Sequence, residues 1–215
     1  MSILRAPVMV ISPQTPLVLG SRSPRRRELL GSLGIPFESI PGDADETRRV
    51  GESAANYLER VVRGKLTDVT ERLPHRDGVP AILVADTIVV VDDDVLGKPA
   101  DVAEAEQLLS RIAGRTHLVH TRYAVSLTPA LSSPKVERTV ESRVTLRKAS
   151  VGELARYAAT GEGLDKAGAY AAQGIGAFLV ERIEGSFSNV VGLPVCEVVL
   201  DLLATGLLVE FPGAP

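Results

Sequence analysis

The chain has 215 residues and a formal net charge of −3, with 45% hydrophobic and 24% charged residues. This composition is typical of a folded globular protein and excludes a disordered chain. The negative charge argues against a general nucleic-acid binder, because counterion-driven binding needs a basic face. The length suits one α/β domain with a lobe or an insertion.

Residues 1–15 are predicted to be an N-terminal extension, and residues 16–215 a single domain. The leader has an apolar run too short for a signal peptide, with prolines behind it. The lone Cys196 cannot form an internal disulfide, and its apolar helical setting predicts that it is buried. Carboxylates interrupt the longest apolar segments, so no membrane span is predicted. We expect a cytoplasmic protein that contacts no membrane.

The hydrophobic pattern predicts mixed α and β elements. Residues 16–20 form a short buried strand, and a helix runs from the cap Ser23 to Gly34. The next predicted elements are a helix over 53–70, a strand or strand pair over 81–91 turned back by 92-DDD-94, and a helix over 101–113. They are followed by strands over 118–127 and 136–146, a helix over 150–159, a strand over 177–183 and a last helix begun by 192-GLP-194. Capping boxes open the helices at 101 and 150. This order is mixed α/β rather than strictly alternating.

Three arginines follow Ser23 and Pro24 in the first turn of the first predicted helix. Cations are unfavourable there, because the helix N-terminus carries the positive end of the macrodipole, unless an anion binds. Helical spacing places Arg25 and Arg26 near the buried face, over the end of the preceding strand. With the hydroxyls of Ser21 and Ser23 and the free N–H groups, they are predicted to form a phosphate site with two guanidinium forks. A solvated basic face is the alternative.

Asp86 interrupts an eleven-residue apolar run, where an unpaired carboxylate is strongly unfavourable. A cation is therefore expected nearby, and Lys98 lies on a constrained loop just after the predicted hairpin. A turn aspartate, or a carboxylate satisfied by backbone amides, is the alternative. Lys65 ends the apolar stripe of the second helix. The loop 41–47 offers Asp45 and Glu46 as further carboxylates for a metal.

The segment 165-DKAGAYAAQG-174 carries Lys166, Tyr170 and Gln173 among small residues. Its glycines would let the backbone approach a flat ligand such as a base, and a plain glycine-rich loop is the alternative. His117 and His120 lie three apart in a predicted strand and face opposite sides, so they are poor joint metal ligands. The sequence contains no P-loop, no dinucleotide-binding fingerprint and no serine nucleophile elbow.

Six motifs, in this order, resemble the Maf family of nucleoside triphosphate pyrophosphatases: 21-SRSPRRRELL-30, 45-DE-46, 85-ADT-87, 96-LGKP-99, 165-DKAGAYAAQG-174 and 189-NVVGLP-194. The resemblance covers residues 17–203. It implies an elongated mixed-sheet α/β fold related to inosine triphosphate pyrophosphatases, with two lobes around a central cleft. It also implies hydrolysis of a nucleotide to its monophosphate and pyrophosphate. Arg25, Thr87 and Gln173 match the residues that mark the branch acting on dTTP and UTP rather than on 7-methyl-GTP.

The residues and the resemblance together predict a mechanism. Glu46 and Asp86 hold Mg²⁺ or Mn²⁺, and Asp86 orients or deprotonates the attacking water. The expected substrate-binding residues are Ser21, Ser23, Arg25, Arg26, Lys65, Thr87, Lys98, Lys166 and Gln173, with Arg25, Arg26, Lys65 and Lys98 on the triphosphate.

The resemblance also suggests a biological role. Modified pyrimidine nucleotides are further expected substrates, in a role of cleansing the nucleotide pool. Family members are often dimers, so a homodimer is expected. The alternative function is a nucleotide-binding regulator of cell division with little turnover. An RNA-binding role fits poorly with the negative charge and the few aromatic residues.

Overall fold

The computed structural model describes residues 9–73, 78–128 and 133–212. The strands are β1 (Leu17–Leu19), β2 (Phe37–Ser39), β3 (Ala81–Val91), β4 (Asp94–Leu96), β5 (Thr116–Leu127), β6 (Pro134–Leu146) and β7 (Val180–Glu184). The helices are α1 (Pro24–Ser32), α2 (Ala54–Glu71), α3 (Val102–Ile112), α4 (Val151–Ala158), α5 (Phe187–Val191) and α6 (Val195–Ala204). Two 3₁₀ segments, Ala167–Ala169 and Gly174–Leu179, precede β7.

The seven strands form one mixed sheet in the order β2-β1-β3-β5-β6-β7, and β4 pairs with β3 off this path. β1 runs parallel to both β2 and β3, whereas the remaining pairs are antiparallel. The predicted mixed α/β fold is therefore confirmed.

Strand β3 lies at the centre of the molecule, and its side chains alternate between two helical layers. Its even-numbered apolar residues pack against α2. Of its odd-numbered residues, 81–85 pack against α1 and α6, and 89–91 pack against α3 and α4. Thr87 lies between these two groups of odd-numbered residues. The unbroken apolar run of β3 follows from its burial on both faces.

One edge of β3 is only partly covered by neighbouring strands. On the side away from β5, β1 pairs with residues 82–83 and β4 pairs with residues 89–91. Within the described chain, residues 84–88 therefore have no strand on that side. Backbone groups in such a gap need other partners, and the gap makes Asp86 and Thr87 accessible from the edge of the sheet.

Three helices begin at a side-chain N-cap, and two of these caps, at Asp101 and Ser150, were predicted from the sequence. Ser53, Asp101 and Ser150 each accept a hydrogen bond from the backbone N–H three residues later. The predicted capping box forms at Ser150. At Asp101 it forms only in part, because the Glu104 carboxylate accepts from the N–H of Ala100 instead.

Two predictions in the last third of the chain are wrong. The strand predicted over 177–183 is a 3₁₀ segment as far as Leu179, and β7 begins only at Val180. Cys196 is exposed, because Val198 and Leu202 form the buried side of α6. Strand β2 and helix α5 were not predicted, since three and five residues are too few for a periodic signal. The loop 128–134 lies partly outside the described residues.

Residues 9–15 lie against the body of the domain, although the predicted extension runs to residue 15. Ile11 is 6% exposed and belongs to the core cluster of α1 and α6. Its N–H donates to the carbonyl of Leu207 at 2.8 Å, and a short bridge joins Ser12 to Thr15. This segment therefore contributes to the core.

We expect Ile11→Ala to lower the free energy of unfolding by about 2–5 kcal/mol, because it removes buried apolar contacts and leaves a cavity. Met9→Ala is the matched control, since Met9 is 37% exposed and its truncation is expected to change the value by less than about 0.5 kcal/mol. Urea denaturation of both variants measures the difference. Equal stability of the two variants would show that this segment does not pack as described.

Candidate active site

A cavity of about 500 Å³ opens at the gap in the edge of β3. Its charged lining residues are Arg22, Arg25, Arg26, Asp43, Glu46, Lys65, Asp86, Lys98, Asp165 and Lys166, and its apolar lining includes Val89, Val119, Tyr170, Val190 and Val191. The cavity therefore offers cations to an anionic group and apolar surface to a flat ring. Every residue of the predicted mechanism lines it, including Ser21, Ser23, Thr87 and Gln173.

Asp86 has the cationic partner that its place in an apolar strand demands. Its Oδ1 lies 2.7 Å from the Nζ of Lys65, and the two side chains are only 10% and 9% exposed. Lys65 lies on the face of α2 that also buries Leu58 and Val62. The core packing of α2 on β3 therefore fixes the ammonium group beside the carboxylate. Lys98, which the sequence placed near Asp86, lines the same cavity, but its ion pair is with Glu46 at 3.8 Å.

Lys65 bridges two carboxylates. Its Nζ also lies 2.7 Å from the Oε1 of Glu46, whose Oε2 is 3.8 Å from the Nζ of Lys98. Burial opposes ionisation of Glu46, but the charges of Lys65 and Lys98 outweigh it and hold the pKa of Glu46 below its usual value. Two carboxylates thus converge on one point of the cavity, with one buried ammonium group between them.

The start of α1 supplies hydrogen-bond donors to the cavity. Ser23 is the N-cap but makes no side-chain capping bond, so the N–H groups of the first turn remain available. Ser21 is buried, and its Oγ accepts from the N–H of Ser23 at 3.2 Å. The Nη1 of Arg25 lies 2.9 Å from the Oδ2 of Asp165, which is far from Arg25 in the sequence but lines the same cavity. A phosphate group can take the place of this carboxylate beside Arg25.

Arg26 is not a second fork for an anion. It is buried, and its Nε donates to the carbonyl of Gly192 at 2.7 Å. Its Nη1 donates to the carbonyl of Ala85 and to Ser21, and its Nη2 to Thr87. Four of the five N–H groups are therefore used within the described chain. Arg26 satisfies a β3 carbonyl in the sheet gap, and the prediction of two guanidinium forks is wrong.

The hydroxyl of Thr87 belongs to the same buried network. Its Oγ1 accepts from Arg26 and lies 2.8 Å from the Oγ1 of Thr121, which donates to the carbonyl of Asn189 at 3.0 Å. Asn189 is fully buried and donates to the carbonyl of Val119. The network fastens α5, whose Val190 and Val191 line the cavity, to the sheet. Thr87 thus lines the cavity with a hydroxyl already engaged in the fold.

The glycines of residues 161–176 allow close backbone packing. A Cβ on Gly163 would lie 2.0 Å from the carbonyl oxygen of Ala169, and one on Gly174 would lie 2.2 Å from the Oε1 of Glu162. A Cβ on Gly176 would lie 2.4 Å from the Oη of Tyr157. The atoms that require these glycines belong to the protein. The expectation that the glycines of 165–174 make room for a ligand is therefore wrong at Gly174.

The same segment directs Lys166 and Gln173 to the cavity. The Nζ of Lys166 lies 2.6 Å from the Oδ1 of Asp165. Gln173 is exposed, and its amide makes no hydrogen bond within the described residues, so it can pair with a ligand. Tyr170 is buried, and its Oη lies 2.8 Å from the Nε2 of His117. Burial lowers the pKa of His117 to about 4, so this histidine is neutral.

Three carboxylates near the site differ from the sequence interpretation. Asp165 was missed although it adjoins Lys166, because its pairing with Arg25 joins residues far apart in the chain. Asp43 was also missed, and it lines the cavity beside Arg22 at 2.9 Å. Asp45 instead accepts from the N–H of Thr47 and is not among the lining residues. The suggestion that Asp45 faces a metal is therefore wrong.

Two further sequence features have definite places. His117 and His120 face opposite sides of β5 as predicted, and His120 lies 3.0 Å from Glu141. Over the three described ranges, no helix has both the length and the apolar character that crossing a bilayer requires.

Known proteins resemble this chain along most of its length. A dTTP/UTP pyrophosphatase of Myxococcus xanthus is 50% identical over 194 residues, which cover 90% of this chain and 94% of the relative. Proteins of the same name from Hahella chejuensis and Methylobacillus flagellatus are each 44% identical. The first match covers 89% of this chain and 92% of the relative, and the second covers 93% and 96%.

The family model described as "Maf-like protein" matches residues 16–205. The match includes the start of α1, the Asp86 strand and the 165–174 segment, which together build the cavity. On this match and on the similarity of its relatives, the chain belongs to the Maf family.

Proposed function

We propose that this protein is a hydrolase that cleaves dTTP and UTP to the nucleoside monophosphate and pyrophosphate. The observation that carries the proposal is the buried Asp86–Lys65 pair at the accessible gap of β3. The same cavity contains Arg25 and Lys98 for an anion and the free amide of Gln173 for a base. The names of the relatives support the same activity.

In the proposed reaction, water attacks one of the two phosphorus atoms that flank the α–β bridging oxygen. The P–O bond to that oxygen breaks, and its electron pair stays on the bridging oxygen. Asp86 accepts the proton of the attacking water. Lys65, Lys98 and Arg25 offset the charge that develops on the phosphate oxygens, so positioning and electrostatics supply most of the acceleration.

We further propose that Glu46 and Asp86 bind Mg²⁺ or Mn²⁺. Their carboxylates fit such an ion, because Lys65 binds Glu46 Oε1 and Asp86 Oδ1 at 2.7 Å and so holds the two groups close together, while each keeps a second oxygen. Within the described ranges no group of three or more potential metal ligands occurs. This suits an ion whose remaining ligands are water and substrate phosphates. When bound, the ion supplies charge neutralisation at the phosphates.

We propose that the enzyme acts in the cytoplasm as a homodimer, on free pyrimidine nucleotides that include modified ones. A single cysteine suits a reducing compartment. The net charge of −3 favours a small anionic substrate with its own metal over a nucleic acid. Light scattering against the monomer mass of 22.8 kDa tests the dimer.

The purified protein with Mg²⁺ or Mn²⁺ is expected to release pyrophosphate and UMP from UTP in equal amounts, and to lose this activity in EDTA. Separate assays of pyrophosphate and orthophosphate measure the products. A regulator with little turnover would bind UTP and release neither. Release of orthophosphate alone would contradict the proposed bond cleavage.

Asp86→Asn is expected to lower turnover at least about 100-fold, because the amide cannot accept the proton of water. The variant should remain folded, since Lys65 keeps Glu46 as a partner. Asp93→Asn is the matched control, an identical change in the exposed β3–β4 turn. Turnover of folded Asp86→Asn equal to that of the control would exclude Asp86 as the base.

Gln173→Ala is expected to lower kcat/KM for UTP and dTTP more than for CTP. The Gln173 amide offers one donor and one acceptor side to the carbonyl and N–H edge of uracil or thymine, which cytosine does not share. Gln107→Ala removes an exposed glutamine of α3 and serves as the control. Steady-state kinetics over UTP, dTTP, CTP, ATP and GTP measure the preference. Equal losses for all five nucleotides would remove Gln173 from base recognition.

A further inference from the structure

Two residues outside the cavity lining, Tyr157 and Glu162, hold the backbone on both sides of Gln173. Tyr157 lies on α4 and is buried, and Glu162 lies just after that helix. Neither contributes to the wall of the cavity. Their hydrogen bonds nevertheless end on the segment from which Gln173 reaches it.

Glu162 fastens the side that follows Gln173. Its Oε1 accepts from the N–H of Ile175 at 2.8 Å, and its Oε2 accepts from the N–H of Gly176 at 2.7 Å. The same Oε2 accepts from the Oη of Tyr157 at 2.9 Å. One carboxylate therefore satisfies the first N–H groups of the 3₁₀ segment Gly174–Leu179, where helix geometry leaves donors free.

Tyr157 fastens the side that precedes Gln173. Its Oη accepts from the N–H of Ala171 at 3.0 Å while donating to Glu162. The ring packs edge-on against Phe178, with 5.9 Å between centroids. The phenol thus connects the two ends of a short span, and only residues 172–174 lie between the fastened positions.

Gly174 and Gly176 leave the space that the side chains of Glu162 and Tyr157 occupy. Gly174 has a φ of +68°, and a Cβ there would lie 2.2 Å from the Oε1 of Glu162. A Cβ on Gly176 would lie 2.4 Å from the Oη of Tyr157. The backbone can therefore approach the carboxylate and the phenol this closely only without side chains at these two positions.

We propose that Tyr157 and Glu162 are positioning residues for base selection, which fix the span 171–176 so that the Gln173 amide meets the pyrimidine edge. The inference rests on the proposed function, because it concerns the same nucleotide site. Hydrogen-bond readout requires placement to within about 0.5 Å. A span without these bonds must be ordered when the substrate binds. The entropic cost of this ordering weakens substrate affinity and reduces the preference for UTP over CTP.

Tyr157→Phe tests this directly, because it removes one hydroxyl and leaves the ring. We expect KM for UTP to rise about tenfold, as for loss of a hydrogen bond to a charged group, while kcat changes less than about twofold. The ratio of kcat/KM for UTP to that for CTP should fall to a similar extent. Inhibition by inorganic pyrophosphate should stay within about twofold of wild type, because this probe lacks a base.

Tyr123→Phe is the matched control. The Tyr123 hydroxyl also donates to a buried carboxylate, that of Asp201, but Tyr123 does not line the cavity. Its loss should leave the base preference and KM unchanged. Glu162→Gln is the second variant, since it keeps the size of the side chain but replaces one acceptor with a donor. It should reproduce the kinetic pattern of Tyr157→Phe, and the double variant should show less than additive losses.

Unchanged KM and base preference in both folded variants would overturn the inference and leave the proposed function intact. Equal loss of UTP turnover, CTP turnover and pyrophosphate binding would also overturn it, because a general structural defect acts on all three. A wild-type protein that shows no binding of UTP in calorimetry would overturn the proposed function itself, before any variant is compared.

Discussion

The charged groups of the cavity depend on the ion pairs that the buried ammonium group of Lys65 forms with Asp86 and Glu46. This ammonium group lies 2.7 Å from both Asp86 and Glu46, so it compensates one buried carboxylate and one that is partly exposed. Without it, the two carboxylates would repel each other and Asp86 would be buried without a cationic partner, which would favour displacement of one of them. The position of Lys65 follows from the apolar face of α2, which packs along β3. The hydrophobic core therefore positions the charged groups of the site.

The gap in the edge of β3 allows a ligand in the cavity to reach this buried pair. A complete strand beside residues 84–88 would cover Asp86, whereas β1 and β4 each end before reaching it. Arg26 fills part of the gap by hydrogen bonding the carbonyls of Ala85 and Gly192. The guanidinium group thus stabilises irregular backbone and leaves the cavity open. The cavity is open because no strand pairs with residues 84–88 of β3 on that side, and a regular sheet would not leave this gap.

Sequence reasoning succeeded where one strong local pattern determined the structure. The apolar run of β3, the stripe of α2 and the capping box at Ser150 predicted those elements. The burial cost of a carboxylate predicted that Asp86 has a cationic partner. The pattern could not choose between Lys65 and Lys98, because that choice depends on how α2 is rotated against the sheet. Short elements such as β2 and α5 carry no periodic signal.

The wrong predictions at Arg26 and Gly174 share one cause, since both concern contacts between residues far apart in the chain. Helical spacing correctly placed Arg26 on the inner side of α1, but not its acceptors on β3 and near α5. The segment 165–174 suggested room for a ligand, whereas its Gly174 accommodates the carboxylate of Glu162. The pairing of Arg25 with Asp165 could likewise not be predicted, because the two residues are far apart in the sequence.

We propose that one nucleotide occupies the whole cavity, with its phosphates at the Lys65–Asp86 pair and its base at the 165–174 segment. A crystal structure of the Asp86→Asn variant with UTP and Mg²⁺ tests it most directly. We expect the triphosphate within hydrogen-bond distance of Arg25 and Lys65, and the uracil edge on the amide of Gln173. A nucleotide bound outside the cavity, or one with its base at the start of α1, would contradict it.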